Sequence, residues 1–266
     1  MRMSFDRHAP LPALFIGHGA PTHTLTGNRY TQAWKAIAED IPVPKAILCI
    51  SSHWVTNGSR ITALANPHTL HDFGPIDERL ENIHYPAPGA PDIARQIAEN
   101  VPFELSLDRR WGLDHGSWTV LRHMYPDAEI PVLQLSLDLT LTEEQHYERG
   151  QQLRFLRDEN ILVVASGNVV HNLALFDRQE SMAHPWALVA DSQIAHCLVQ
   201  GDIASLLDYL SMREEVRMGI PTPDHFWPLL YTLGMRQEDD MLDFPVLGLS
   251  HGSTSMRSVR LQSRLE

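Results

Sequence analysis

Short apolar runs that show almost no polar alternation constrain this chain more than any other feature. "PALFIG" (12–17), "KAILCISS" (45–52), "RITALA" (60–65), "IPVLQLSL" (130–137) and "NILVVASG" (160–167) read as strands with both faces covered. Such strands need a sheet layered between helices. The intervening segments supply them. Residues 28–40 set Trp34, Ile37 and Ala38 on one face, and residues 90–100 set Ile93, Ile97 and Ala98 on another, after Pro91. Residues 142–158 open with Thr142 and Gln145 at capping-box spacing, and helical patterns also cover 185–199, 201–210 and 223–233. Two late runs, "FPVLGLS" (244–250) and "MRSVRLQ" (256–262), follow each other without a helix between them, which predicts a mixed rather than purely parallel sheet. No linker, repeat or low-complexity tract divides the chain. The expected fold is α/β, a single domain over residues 1–266 with a largely buried mixed sheet and helices on both faces.

Charge and cysteine content narrow the function. Asp and Glu number 33 against 21 Lys and Arg, a net charge of −12, so a phosphate-neutralising surface for nucleic acid is not expected. The start, "MRMSFDRHAP", has no apolar signal core, and no stretch reaches the length of a membrane span. Cys49 and Cys197 make no disulfide framework, and Cys49, inside "AILCIS", reads as a small buried hydrophobe. A cytoplasmic protein without membrane or nucleic-acid partners is expected. The composition is unusual in one respect: 15 histidines.

Their placement is informative. Ligands of such sheets gather beyond the carboxyl ends of the strands. His18, His53 and His171 follow the first, second and fifth runs, in "LFIGHGAP", "CISSHW" and "VVASGNVVHN". His115 lies in "WGLDHGSW", just before a helix, and His225 in "PTPDHFWPLL", where Pro223 suits a first helical turn from which His225 would project. Successive residues on a helix diverge by about 100°, so only one of Asp224 and His225 can face a site. Gly17 and Gly19 imply a sharp turn around His18, with room for a planar ring beside it. His8, His23, His146, His184 and His196 read as surface or capping residues, and His123 and His251 are ambiguous. His68, His71 and His84 lie in turn-rich loops at a pocket rim. G-x-G-x-x-G, G-x-S-x-G, H-E-x-x-H and C-x-x-C are all absent. Taken singly, each histidine has an ordinary hydrogen-bonding explanation. Taken together, they point to a mononuclear metal centre at the strand C-terminal ends, with spare histidines to move protons.

The segments "LFIGHGAP", "SSHW", "HDFG", "HYPAPG", "WGLDHGSW", "MYPDAEIPVLQLSLD", "ASGNVVHN" and "TPDHFWPLLYTLG" follow one another in an order and spacing that resemble the DOPA 4,5-dioxygenase-like branch of the class III extradiol aromatic ring-opening dioxygenases. The resemblance runs from about residue 11 to about residue 260. It implies one non-haem Fe(II) and cleavage of a catechol beside its two hydroxyls by O2, giving a muconic semialdehyde of the 4,5-seco-DOPA type. Position by position, His18, His53 and His225 match metal ligands. His171 matches a histidine that binds metal in zinc-loaded relatives and otherwise serves as a base. His115 matches a second acid–base histidine. Relatives of the protocatechuate type carry a glutamate where this chain has His225. Three neutral imidazoles leave a 2+ charge uncompensated, which suits an anionic catecholate and also suits Zn(II). Ser51, Ser52, Asn168 and Asn172 are candidates for orienting the imidazoles, and Trp54, Tyr85, Trp118 and Phe226 for pocket walls. A zinc-bound hydrolase and a non-catalytic binding protein are the alternatives. Beyond a small catechol and O2 no partner is implied, and homo-oligomerisation stays open.

Overall fold

The computed structural model describes residues 9–178 and 182–264, so His8 lies outside the described residues. In chain order the strands are β1 (Ala13–Gly17), β2 (Ala46–Thr56), β3 (Arg60–Thr62), β4 (Ser106–Asp108), β5 (Val132–Asp138), β6 (Ile161–Gly167), β7 (Asp240–Val246), β8 (Leu249–Ser250), β9 (Thr254–Ser255) and β10 (Ser258–Ser263). The helices are α1 (Arg29–Glu39), α2 (Pro91–Asn100), α3 (His115–Met124), α4 (Glu143–Leu153), α5 (Pro185–Gln200), α6 (Ile203–Leu207), α7 (Glu214–Gly219) and α8 (Trp227–Gly234).

The main sheet runs β4-β3-β5-β2-β6-β1-β10-β7. Its centre, β5-β2-β6-β1, is parallel, and β10 and β7 extend it antiparallel, so the sheet is mixed as expected. Alternating side chains feed two cores. Leu14, Ile16 and Ile47 pack with Trp34 and Ile37 of α1 and with Trp118 and Leu121 of α3. Phe15, Leu48 and Ile50 face the opposite way, toward Ala94 and Ile97 of α2, Leu153 of α4, Ile194 of α5 and Leu229 of α8. Helices therefore cover both faces. Burying a large aliphatic chain contributes about 1.5–3 kcal/mol, and the central strands bury one at nearly every position.

Boundaries shift where ionic or turn chemistry overrides hydrophobic pattern. The strand expected at 244–250 is β7, which starts at Asp240 because the buried Arg157 guanidinium grips that carboxylate, with Nη2–Oδ1 at 2.8 Å. The helix expected at 223–233 begins only at Trp227: the backbone N–H groups of Phe226 and Trp227 both donate to Pro223 O, closing a turn first. His225 thus sits on a turn and does not project from α8. Residues 142–158 divide into α4 and a 3-10 turn, Arg154–Arg157, and 201–210 yields α6 and the turn Tyr209–Ser211.

His146, expected as a surface or capping residue, is fully buried between α4 and α8, its ring 4.5 Å from that of Trp227 and its Nδ1 3.2 Å from the Tyr231 hydroxyl. Burial pushes its pKa down to about 4. In the unfolded chain it titrates near 6.5. Below that value only the unfolded state takes the proton, so folding stability falls between about pH 6.5 and 4. For this group the loss from pH 7 to pH 5 amounts to about 2 kcal/mol. His146→Gln should remove that increment from the pH dependence of urea-unfolding free energies. An unchanged slope would mean that the imidazole is protonated in the fold.

Candidate metal centre

Strand register sets the stage. Ile16 and Ser51 both lie opposite Ser166, one on each side of β6, so His18, just past β1, and His53, within β2 but beyond its last residue paired with β6, reach the same height. Five residue steps of β2, Ile50 to Val55, are matched by two of β5, Leu135 to Leu137. This bulge sits where His53 turns toward the site, as bulges beside functional sites commonly do. The turn bearing His225 is tied to the end of β6 by Asn168 N–H donating to His225 O at 2.9 Å. His171 is held by a bridge to Thr254 of β9, and its N–H donates to Gly219 O. His115 opens α3, where buried Asp114 caps the helix by accepting from Ser117 N–H at 3.0 Å.

The rings converge. His18 lies 5.1 Å from His53, 5.3 Å from His225 and 5.9 Å from His115, centroid to centroid. His53 and His225 are 4.9 Å apart. Nitrogens of His18, His53 and His225 all lie within 4.8 Å of one another, so these three could hold one ion. His171 stands differently: its ring stacks on His225 at 3.6 Å and 6°.

Hydrogen bonds fix which nitrogen is free. The Ser166 hydroxyl donates to Gly116 O at 2.5 Å, so its oxygen accepts from His18 Nδ1–H at 3.0 Å. His225 Nδ1–H donates to Asp224 Oδ2 at 2.6 Å. Both imidazoles therefore present a bare Nε2 lone pair inward. His225 Nε2 is buried with no partner, while His18 Nε2 lies 3.2 Å from His53 Nε2. Two nitrogens at about 2.1 Å from one ion at tetrahedral angles would be about 3.4 Å apart. The donor set fits a divalent ion. Burial first, and neighbouring imidazoles second, hold His18 and His53 well below the usual histidine range. Burial also depresses His225 and brings His171 to about 2. A cluster kept neutral is what ligation requires, since a protonated imidazole cannot bind a cation.

Asp72, which the sequence reading did not single out, is the other acid in this site. Its Oδ1 accepts the His115 backbone N–H at 2.8 Å and its Oδ2 accepts His115 Nδ1–H at 3.0 Å. Burial alone would raise its pKa, but these bonds outweigh it and hold the carboxylate ionised. His53 Nδ1 stands 3.8 Å from the same Oδ2. Asp72, His53 and His115 form a second group of close donors, but Asp72 already accepts two N–H bonds from His115. The only signal for it in the sequence was "HDFG". Asparagine at this position offers one acceptor where His115 presents two donors. Asp72→Asn should therefore lower turnover about 10–100-fold, the usual effect of losing such a support, while metal content by elemental analysis stays at the wild-type value.

Other expectations are corrected. Asp224 lies behind His225 rather than competing with it. The expected supports are engaged elsewhere: Ser51 Oγ donates to Asp114 and accepts His53 N–H, Asn168 Nδ2 donates to Ser255 O, Asn172 Nδ2 donates to Met218 O, and Ser52 Oγ has no partner. Gly19 does take a positive φ of 65°, but a Cβ there would meet Met256 Sδ at 2.6 Å and the His23 ring at 2.9 Å. The space beside it is filled, so it is no slot for a planar ring. His23 is itself buried rather than at the surface. Tyr85, Trp118 and Phe226 belong to the core, and Trp54 stacks on Trp111 at 5.5 Å. Phe73 is the aromatic edge-on to His115, at 5.4 Å.

Residues 4–261 match the family of the catalytic LigB subunit of aromatic ring-opening dioxygenase. The chain belongs to this family. It is 44% identical over 257 residues to 4,5-DOPA dioxygenase extradiol of Escherichia coli K12, covering 94% of each chain. A protein of the same name from Beta vulgaris is 33% identical over 85% of this chain and 87% of its own. The crystal structure of an uncharacterized Escherichia coli K12 protein superposes with a TM-score of 0.83 at 41% identity, covering 94% of this chain and 99% of that one. This LigB-family chain is thus an oxidoreductase of the extradiol dioxygenase type. Among the described residues, no helix is long and apolar enough to cross a membrane.

Proposed function

We propose that this LigB-family enzyme opens a catechol ring with O2, at one divalent metal ion held by His18, His53 and His225, to give a muconic semialdehyde. One observation carries the reading: the buried imidazoles of His18 and His225 and the half-buried one of His53, all held neutral, converge within 4.8 Å, and hydrogen bonds to Ser166 and Asp224 turn two of the bare Nε2 atoms inward. Bound there, Fe(II) supplies a Lewis acid with open positions for catecholate and O2. Three neutral ligands leave its charge uncompensated, which favours a substrate that binds as an anion.

The remaining chemistry belongs to side chains. His171 is the base. Its ring lies parallel to that of His225 with centroids 3.6 Å apart. The lone pairs of parallel rings run side by side rather than converge, so His225 would hold the ion and His171 would stay free to move a proton. A neutral His171 imidazole beside His225 can accept the proton that a catechol hydroxyl releases. His115 is the acid: Asp72 accepts its Nδ1–H and fixes the tautomer, which leaves Nε2 to exchange a proton.

Anaerobic reconstitution with Fe(II), followed by a catechol panel in an oxygen electrode, tests the reading. One O2 should be consumed per catechol, with a yellow ring-fission product, and monophenols such as tyrosine should react far more slowly. Equal turnover of a monophenol, or ester hydrolysis by the Zn(II)-loaded protein without oxygen uptake, would overturn it.

A further inference from the structure

The helix α5 is apolar around most of its circumference. Its inward face, with Ala187, Ala190, Ile194 and Leu198, belongs to one of the two cores. Its outward face carries Pro185, Leu188, Ser192, Ala195 and Val199, at alternating steps of three and four. At 100° per residue these five point within about 80° of one another. Leu188 is 50% exposed and Val199 63%. The helix contains no Lys, Arg or Glu, and its one acid, Asp191, is buried and accepts from Arg257 Nε–H at 3.0 Å. A helix that is apolar all round is ordinarily covered all round. Among the described residues, nothing covers the outward side of α5.

The exposed face continues past the start of the helix and is held in shape there. His184, one turn before Leu188, donates its Nε2–H to Leu175 O at 2.9 Å, and its backbone N–H donates to Gly252 O at 2.9 Å. Gly252 takes a φ of 74°, and a Cβ there would stand 2.9 Å from the His184 ring. These bonds set the turn Leu173–Leu175 beside the helix, and Met182 leads into it. Leu173 is 64% exposed and Met182 79%. Apolar residues scattered singly over a surface need no explanation, but a contiguous patch marks a contact with something else. Because hydrogen bonds already fix this patch, little ordering is lost when it is covered.

We propose that this surface pairs with the same surface of a second copy of the chain, α5 lying antiparallel to its counterpart across a two-fold axis at Ser192. Charge points to the occupant. Two chains of net charge −12 repel each other, and α5 is a face on which neither brings a charge to be buried. A membrane surface would instead call for Lys and Arg along such a helix, and its 16 residues are too few to span a bilayer. Side-chain size points to the two-fold. About an axis at Ser192, Leu188 of one copy meets Ala195 and His196 of the other, and Val199 meets Pro185, so large side chains lie against small ones. Such a contact is self-complementary, as a two-fold interface must be, and steps of three and four suit helices crossing at about 20°. A standard interface buries about 800 Å² per partner. A helix about 24 Å long with the shoulder beside it makes a contact of the smaller kind, so dissociation in the micromolar range is expected.

Sedimentation velocity on the full-length, metal-loaded protein tests the pairing, over about 1 to 100 μM to span the expected dissociation range. The wild type should pass from monomer to dimer as concentration rises. Leu188→Glu sets like charges at the seam and should weaken association by at least about 10-fold. Its thermal transition and metal content should match the wild type, because the leucine is half exposed and outside the core. Ser192→Cys reads the axis directly. Mild oxidation should join two copies through the introduced thiols, since facing positions at the axis fall near the roughly 4.4–6.8 Å Cα separation that a disulfide needs. Cys49 and Cys197 are buried, so the wild type should not cross-link. A wild type that stays monomeric throughout would overturn the proposal. So would a dimer that Leu188→Glu leaves intact or that Ser192→Cys does not cross-link, because its interface would then lie elsewhere. Binding of the monomer to phosphatidylcholine vesicles, abolished by Leu188→Glu, would assign the face to lipid and overturn it too.

Discussion

His18→Ala and His53→Ala are each expected to reduce the bound metal from one ion per chain to essentially none, with the fold intact. Each change leaves two of three imidazoles on one side of the ion. Losing an outer support typically costs about 10–100-fold in affinity, and losing a ligand should exceed that. The fold should survive because both histidines lie outside the two hydrophobic clusters. His18→Ala forfeits the bond to Ser166, about 1 kcal/mol, and the 3.2 Å contact of its Nε2 with His53 Nε2. For a chain of this size about 1 kcal/mol shifts Tm by roughly 2–4 °C. Elemental analysis and thermal denaturation with and without metal check both halves. The wild type should gain Tm on adding metal, by ligand linkage, and the variants should not. Metal retained at wild-type stoichiometry in either variant would remove that histidine from the site. Collapse of the metal-free melting transition would show that the imidazole is structural instead.

The parts of this protein that were legible in its sequence are those governed by local pattern. Apolar runs without alternation located β1, β2, β5 and β6, because a strand covered on both faces has no polar positions to spare. The rule that ligands collect beyond strand ends then singled out His18 and His53. The supporting residues were not legible, because only tertiary contacts bring them in. Asp72 lies on a loop with no periodicity, which bridges to the segment before α3 through Thr69 and Leu113. Ser166 read as one more buried strand position. The nearby Ser51 and Asn168, closer in sequence to the histidines, turned out to serve Asp114 and Ser255. The burial of His146 and His23 likewise depends on α8 and on the turn after β7, far away in sequence. The late start of α8 depended on hydrogen bonds to Pro223, where a pattern reading extended the helix one turn too far.

His171→Gln is the most informative single substitution at the site. Glutamine roughly preserves the size and polarity of the side chain but cannot carry a proton between substrate and solvent. If His171 is the base, the variant should keep a full complement of metal and bind catechol with nearly unchanged affinity, while turnover falls about 10²–10⁴-fold. The stacked geometry is the reason to expect this. With His225 directed at the ion, a parallel ring at 3.6 Å has its own lone pair running past it. His115→Gln supplies the comparison. Its imidazole is anchored through Nδ1 to Asp72, outside the three-histidine set, so metal should be retained there too and only a later proton-transfer step slowed. Metal analysis separates the two roles of His171 before any kinetics are run: stoichiometric loss in His171→Gln makes it a fourth ligand. Single-turnover measurements on the metal-replete variants then separate the base from the acid. Slow loss of the catechol proton should mark His171→Gln, and normal deprotonation followed by slow product formation should mark His115→Gln. The reverse pattern would exchange the two assignments.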